Sequence, residues 1–353
     1  MASKRYIIVG AGLAGCLIAW KLEQQGQTVI LIGSTQLPGA SQVAGGIINP
    51  VTGRWMTKSW KFDECIGHAI KTYCNIENQF GIRIYHPIPF IRYCQNEEDV
   101  KRIQRRMRNP RYANVLGHYL PVGQDQNALT DTHGSFQVRQ AAYVKLPLLL
   151  QTLQNHFARQ GTFRDEIFVH KKLTKENTCW RYQDLEADHV IFCEGAGMRE
   201  NPWFNSLPLT PIKGETITFE CTTLQLPRTL YHHGKWLLPI EENRFRMGAT
   251  YDDQDLSEMP TDNGKEQLLA SARSLLSRQH TAKVTQHTAG LRPGTKDFRP
   301  FVGSHPINSG LHVFNGLGSK GTLLAPEMIR QFLNYLLKDL PLDREIDCKR
   351  YFN

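Results

Sequence analysis

The apolar positions along the chain change period several times, and the changes mark out its elements. Tyr6-Ile7-Ile8-Val9 is a short continuous apolar run stopped by Gly10, the pattern of a strand buried on both faces. Leu13, Cys16, Leu17, Trp20 and Leu22 then recur at helical spacing until Gly26, and Thr28 to Ile32 forms a second strand. Farther on, the spacing predicts a helix over 141–160 closed by Gly161, with strand-like pieces at Ile167-Phe168-Val169 and Trp180-Arg181-Tyr182. His189 to Cys193 runs apolar into Glu194-Gly195-Ala196-Gly197, another strand ending at a glycine turn. Residues 210–251 are strand-rich, with turns expected at Lys213-Gly214, His233-Gly234 and Glu242-Asn243. A helix is predicted over 264–278 through Leu268, Leu269, Ala272, Leu275 and Leu276. The opening logic returns at the end. Leu311 to Phe314 is a strand, Asn315 to Gly321 a glycine loop, and Met328, Ile329, Phe332, Leu333, Leu336 and Leu337 line one face of a closing helix. Pro326 fits that helix only in its first turn, because proline lacks the N–H of an interior position.

Gly10-Ala11-Gly12-Leu13-Ala14-Gly15 sits between the first strand and its helix, and that context makes the glycines specific. Gly10 permits the tight turn, Gly12 lets a pyrophosphate approach the backbone, and Gly15 lets helix and strand pack. The helix start then offers free amides and a positive dipole to phosphates. One element is missing. A carboxylate usually ends the second strand to hold ribose hydroxyls, and here the strand closes with Gly33-Ser34. Between Gly33 and Arg54 there is no Lys or Arg to meet a 2′-phosphate either, so Ser34 is left to make one hydrogen bond. The last loop, Gly318-Ser319-Lys320-Gly321, lacks the Ser or Thr after lysine of a Walker loop. It is either a plain strand-to-helix turn or a helix N-terminus aimed at a group that becomes negative.

Composition narrows the class without naming it. The 353 residues suit two or three domains, and 41% hydrophobic with 21% charged residues excludes a mostly disordered chain. No apolar run reaches the roughly 18 residues of a membrane span. The basic, then apolar, first 20 residues carry central glycines and no small-residue cleavage site, so no leader peptide is expected. Eight single cysteines without a C-x-x-C pair read as reduced thiols of a cytoplasmic protein. A net charge of +9 permits an anionic partner, either a small carboxylate or a nucleic acid. There is no G-x-S-x-G elbow, no H-E-x-x-H helix and no ligand spacing among the 13 histidines, so no metal is expected. Asn96-Glu97-Glu98-Asp99 precedes Lys101, Arg102, Arg105, Arg106, Arg108 and Arg111. Acids early and bases late suit a capped helix and its dipole; the alternative is a phosphate-tracking face for tRNA.

Pro211-Ile212-Lys213-Gly214-Glu215, Thr229-Leu230-Tyr231-His232-His233, Gly248-Ala249-Thr250-Tyr251 and Gly290-Leu291-Arg292-Pro293-Gly294-Thr295-Lys296-Asp297, together with the first glycine turn, resemble the D-amino-acid-oxidase superfamily of flavoproteins. The likeness is nearest to the glycine oxidases of thiamine biosynthesis. Arg292 to Gly303 and Gly318 to Gly321 also resemble the oxidase half of the bifunctional enzyme that modifies the tRNA wobble uridine. The resemblance implies an α/β fold, α+β overall: a discontinuous Rossmann-like domain for non-covalent FAD (1–80, 137–206 and 291–353) and a substrate domain on an antiparallel sheet (81–136 and 207–290). It implies cofactor contacts from Gly10, Gly12, Leu13, Ala14, Gly15 and Ser34, and from Ser41, Gly45, Gly46 and Ile47. Val169 and Gly195 join on the adenosine side, and Gly318, Ser319, Lys320, Gly321 and Thr322 at the pyrimidine edge. Ser41 is alternatively a helix cap.

The resemblance also makes Arg292 the ligand of a substrate carboxylate, and a planar guanidinium makes the paired charge-assisted bonds that a lysine cannot. A structural ion pair is the alternative. Trp236 and Ser319 stand where glycine oxidases carry Tyr and Arg, so the pocket is reshaped away from glycine itself. Trp236, Tyr251, Ser319 and Lys320 are the substrate-side residues, although an aromatic in a strand is often plain core. The implied enzyme is an amine or amino-acid oxidase or dehydrogenase. It oxidises the C–N bond of a small carboxylated amine by hydride transfer to flavin N5, with imine hydrolysis and oxygen or another acceptor. The alternatives are oxidative removal of a carboxymethyl group from a tRNA wobble uridine, or an RNA-binding flavoprotein without turnover. No acid–base pair is assigned; His232, His233 and Lys320 are candidates only, and the structural or solvated reading of each is the favoured one.

Overall fold

The computed structural model describes residues 3–36, 39–123, 129–276 and 281–352. Its helices are α1 (Leu13–Gln24), α2 (Ala40–Val43), α3 (Phe62–Phe80), α4 (Glu97–Met107), α5 (Leu146–Arg159), α6 (Asp262–Leu275) and α7 (Gly321–Lys338). The two-faced apolar runs build one sheet, ordered Phe163–Arg164, Thr28–Ile32, Arg5–Val9, His189–Phe192, Leu311–Asn315, Phe301–Ser304. All its pairs are parallel except the last. Alternation decides which layer each side chain joins. Tyr6 and Ile8 pack with α1, α3 and α7, whereas Ile7 and Val9 pack with Trp180, Tyr182 and Phe204 on the other face. All four strand residues are buried, as a sheet covered on both sides requires.

The strand-rich stretch forms an eight-stranded sheet, ordered Lys283–Thr295, Leu209–Glu220, Arg244–Gly248, Lys235–Glu241, Leu230–His233, Phe90–Tyr93, Ser135–Val138, Leu116–Leu120. It is antiparallel apart from one parallel pair, Leu230–His233 with Phe90–Tyr93. The α/β class with a second, largely antiparallel sheet is therefore what the chain adopts.

Four local expectations are corrected. Residues 142–144 are a strand paired with Ile47–Ile48 and Tyr85–Pro87, and the helix begins only at Leu146, with a proline in its first turn. Ile167–Val169 is not a strand; the sheet's edge is Phe163–Arg164, and the amide of Val169 donates to the Tyr182 hydroxyl at 3.2 Å instead of to a ladder. Lys213-Gly214 makes no turn but lies inside the 12-residue strand Leu209–Glu220. The helix foreseen over 264–278 ends at Leu275, and residues 277–278 lie outside the described residues. His233-Gly234 and Glu242-Asn243 do turn, with Gly234 and Asn243 at positive φ.

Pro326 is a further difference, since it is the sixth residue of α7 and not in the first turn. Its missing N–H would orphan the Thr322 carbonyl one turn back. Tyr73 of α3 supplies the donor: its buried hydroxyl bonds the Thr322 oxygen at 2.8 Å. The Tyr73→Phe variant is expected to lose about 1–3 kcal/mol of stability, read as a lower denaturant midpoint at unchanged slope. In a Pro326→Ala background, where residue 326 regains a donor, that loss should shrink; an equal loss in both backgrounds would refute the compensation.

Candidate functional site

The ends of the parallel strands and one face of the antiparallel sheet enclose a cavity of about 590 Å³, within the range usual for bound small molecules. The glycine turn forms one end. Gly10 is at φ 106°, and a Cβ there would lie 2.4 Å from the Cys193 carbonyl oxygen. At Gly15 it would lie 1.8 Å from the Gly10 oxygen, so α1 docks on the strand only through glycine. The α1 N-terminus, at Gly12, has no side-chain cap of its own. The Ser41 hydroxyl, from α2, accepts the Leu13 amide at 3.1 Å. Both readings of Ser41 thus meet in one residue: it lines the cavity and caps a helix, though not its own. A Cβ at Gly33 would lie 2.5 Å from the Ala11 nitrogen, so the backbone as it runs here leaves no room for a side chain at that position. Ser34 lines the cavity beyond it, its oxygen accepting the Gln36 amide at 3.2 Å.

Two features on this side carried no assigned role in the sequence. Glu194 lines the cavity and is fixed by His170 Nε2 and Asn201 Nδ2, each at 2.7 Å. Asn315 Nδ2 donates to the Gly195 oxygen at 2.9 Å, locking the second glycine turn, with Gly195 at φ 57°. Val169 stands apart, exposed and outside the lining residues. Gly15 also lies outside the lining, since its contact is with the turn.

Gly45, Gly46 and Ile47, which follow Ser41, line the same cavity as Gly318, Ser319, Lys320, Gly321 and Thr322, and the last loop adjoins the first turn, since a Cβ at Gly321 would lie 3.3 Å from the Leu13 side chain. Gly46 is at φ 65°, with Val144 so close that a Cβ would lie 2.0 Å from its oxygen. Thr322 Oγ1 donates to the Ile47 oxygen at 3.2 Å, joining the two segments. Arg246, unremarked in the sequence, ties the same loop to the antiparallel sheet by donating to the Val43 oxygen at 2.5 Å and the Ala44 oxygen at 3.3 Å. Lys320 precedes α7 and lines the cavity; burial and the nearby Arg299 charge push its pKa down.

Arg292 lies in the strand Lys283–Thr295, half-buried beside Gly214. It forms no ion pair among the described residues, which removes the structural-pair alternative. Nη1 and Nη2 both donate to the Thr250 oxygen at 3.2 Å, and Nη1 also to the Lys213 oxygen at 3.4 Å. Three of the five guanidinium donors are thereby used. Nε–H and one Nη2–H remain, the side-on pair that matches a carboxylate. The space is made by Gly214, where a Cβ would lie 2.0 Å from Arg292 Nη2.

Trp236 lies against Gly45 and Gly248, and Tyr251 is 66% exposed at the rim, so neither is plain core. His232 lines the cavity and His233 does not. Burial first, then the Arg92 charge, drives the His232 pKa well below its ordinary value, so its ring is neutral. Of the basic residues after Asn96, Arg102 is buried in ion pairs with Glu98 and Asp99, and Arg106 holds the Trp55 oxygen. Lys101, Arg105, Arg108 and Arg111 are exposed. Among the described residues no helix is long and apolar enough to cross a membrane, and no group of His, Cys, Asp or Glu is arranged for a metal.

These residues fit FAD. Two helix N-termini point into one cavity, the glycines leave backbone exposed where a dinucleotide needs close approach, and polar groups sit at both ends. Glycine oxidase of Pseudomonas aeruginosa is 26% identical over 371 residues, covering 97% of this chain and 96% of that protein. The tRNA 5-methylaminomethyl-2-thiouridine biosynthesis bifunctional protein of Marinobacter nauticus is 24% identical, over 91% of this chain and 53% of that protein. Iminodiacetate oxidase of Chelativorans sp. BNC1 shares the fold with a TM-score of 0.80 at 21% identity, covering 97% of this chain and 99% of that one. Residues 5–330 match the FAD dependent oxidoreductase family of D-amino-acid-oxidase type, and the chain belongs to it as an FAD-dependent enzyme.

Proposed function

We propose that the enzyme oxidises the C–N bond of a small amino acid or secondary amine that carries a carboxylate. The observation that carries this reading is the uncompensated guanidinium of Arg292, whose free edge shares a cavity with the dinucleotide-type glycine turn. FAD, when bound, supplies a two-electron acceptor for the hydride on the carbon next to nitrogen, and water hydrolyses the resulting imine. The protein's part is positioning. Arg292 holds the carboxylate by two charge-assisted bonds, and Trp236 and Tyr251 bound the space beside it. The amine must react as its neutral form, because its lone pair drives hydride departure. A neutral His232 adds no positive charge that would oppose this. The partners implied are the carboxylated amine and an electron acceptor, oxygen or another carrier.

Anaerobic mixing of the holoenzyme with N-methyl and N-carboxymethyl amino acids is expected to bleach the flavin absorbance. No bleaching across such a panel would leave a binding role only. Arg292→Met should raise the half-saturating concentration roughly 10- to 100-fold, the worth of a charged hydrogen-bonded pair, with the flavin still bound. An unchanged value would take Arg292 out of the site. Gly214→Ala probes the same contact from the strand behind. By displacing the guanidinium it should raise KM more than it lowers kcat and leave the visible spectrum of the bound flavin intact. Wild-type kinetics in that variant would show that the guanidinium does not hold the substrate.

A further inference from the structure

A second cavity, of about 270 Å³, lies behind the first. His232 and Gly234 line both, so the end of the strand Leu230–His233 and its turn form a shared wall. The volume is below the roughly 300–1,000 Å³ of drug-sized ligand sites, which suits a small guest. Its lining is cationic, with guanidinium groups from Arg54, Arg92 and Arg102.

Charge bookkeeping there does not close. The two carboxylates of the lining, Glu98 and Asp99, are both engaged by Arg102, Asp99 at 2.8 Å. Neither Arg54 nor Arg92 has an ion pair among the described residues. Arg92 is only 6% exposed, and its Nη1 and Nη2 reach nothing more negative than the Val51 and Gly53 oxygens, at 3.2 and 2.8 Å. The Asp99 charge acts on Arg92 but is already paired with Arg102, and a buried cation that shares its counter-charge in this way is costly unless a ligand supplies another. On the shared wall, His232 Nδ1 is buried with no hydrogen-bond partner among the described residues. The tip that carries Arg54 is itself anchored, since Arg102 Nη1 donates to the Arg54 oxygen at 3.3 Å and Arg106 holds the Trp55 oxygen.

We propose that this cavity binds a small oxyanion of phosphate type, held by Arg54 and Arg92, one wall away from the flavin site. Its argument is independent of the amine-oxidation reading. Burial pulls the Arg92 pKa down to about 10, which leaves it a cation at neutral pH. The oxyanion can be a free ligand or a phosphate group borne by the substrate, and the same donors serve either.

The test is inorganic phosphate titrated into the holoenzyme at constant ionic strength, with chloride as control and thermal unfolding as readout. A saturable rise in Tm is expected in the wild type and in Arg292→Met. In Arg54→Glu the half-saturating phosphate should rise at least tenfold. Arg54 is exposed, so this reversal leaves the core intact. In the second arm, N-methyl-O-phosphoserine and N-methylserine are compared as flavin reductants. A preference for the phosphate ester that Arg54→Glu abolishes assigns the oxyanion to the substrate; a response to inorganic phosphate alone assigns it to a separate ligand. No saturable shift in the first arm together with no ester preference in the second, or effects of equal size in Arg54→Glu, would overturn the proposal.

Discussion

The site depends on backbone meeting backbone. With 1.8 Å between a Cβ built at Gly15 and the Gly10 oxygen, α1 seats on its strand at a distance that only glycine allows, and this aims its first amides into the cavity. The same constraint recurs around the cavity. Gly33 abuts Ala11, Gly46 abuts Val144, and Gly214 abuts the Arg292 guanidinium. Each missing side chain is a piece of the cavity wall, and protein interiors are packed densely enough that none of these contacts has slack.

Charge separates structure from function as sharply as shape does. Along the strand Leu209–Glu220, Gly214 and Thr216 line the cavity while Lys213 and Glu215 engage partners of their own. Lys213 is buried and paired with Asp255 at 2.5 Å, and Glu215 accepts from His287 at 2.7 Å and from the Thr261 amide and hydroxyl. Those ions are neutralised within the protein, as buried ions must be. Among the described residues, Arg292 on the strand alongside is held by carbonyl oxygens alone. Its charge is positioned without being spent, the arrangement a carboxylate ligand requires.

The basic run after Asn96 shows how one pattern divides between roles. Asn96 accepts the Asp99 amide at 2.9 Å and caps α4, as its type predicts. Arg102 and Arg106 then turn inward to fasten the Arg54-Trp55 tip, so part of what looks like a phosphate-tracking face is an internal brace.

Sequence alone determined the elements whose signal is local: the strand, glycine turn and helix at each end, the glycine positions of the first turn, and Arg292 within a recognisable motif. Its errors fell where a distant partner decides. Residues 142–144 became strand because two other strands flank them, and Lys213-Gly214 stayed extended because the strand Lys283–Thr295 pairs along its whole length. Pro326 was tolerated in the second turn of α7 because Tyr73, far away in the chain, replaces the donor it lacks. Tertiary structure alone brought Glu194 to its histidine, Arg246 to the Val43 carbonyl and Arg92 to a cavity where it has no ion pair among the described residues. Periodicity and glycine chemistry act over a few residues, whereas pairing, burial and charge compensation exist only once segments separated along the chain have met.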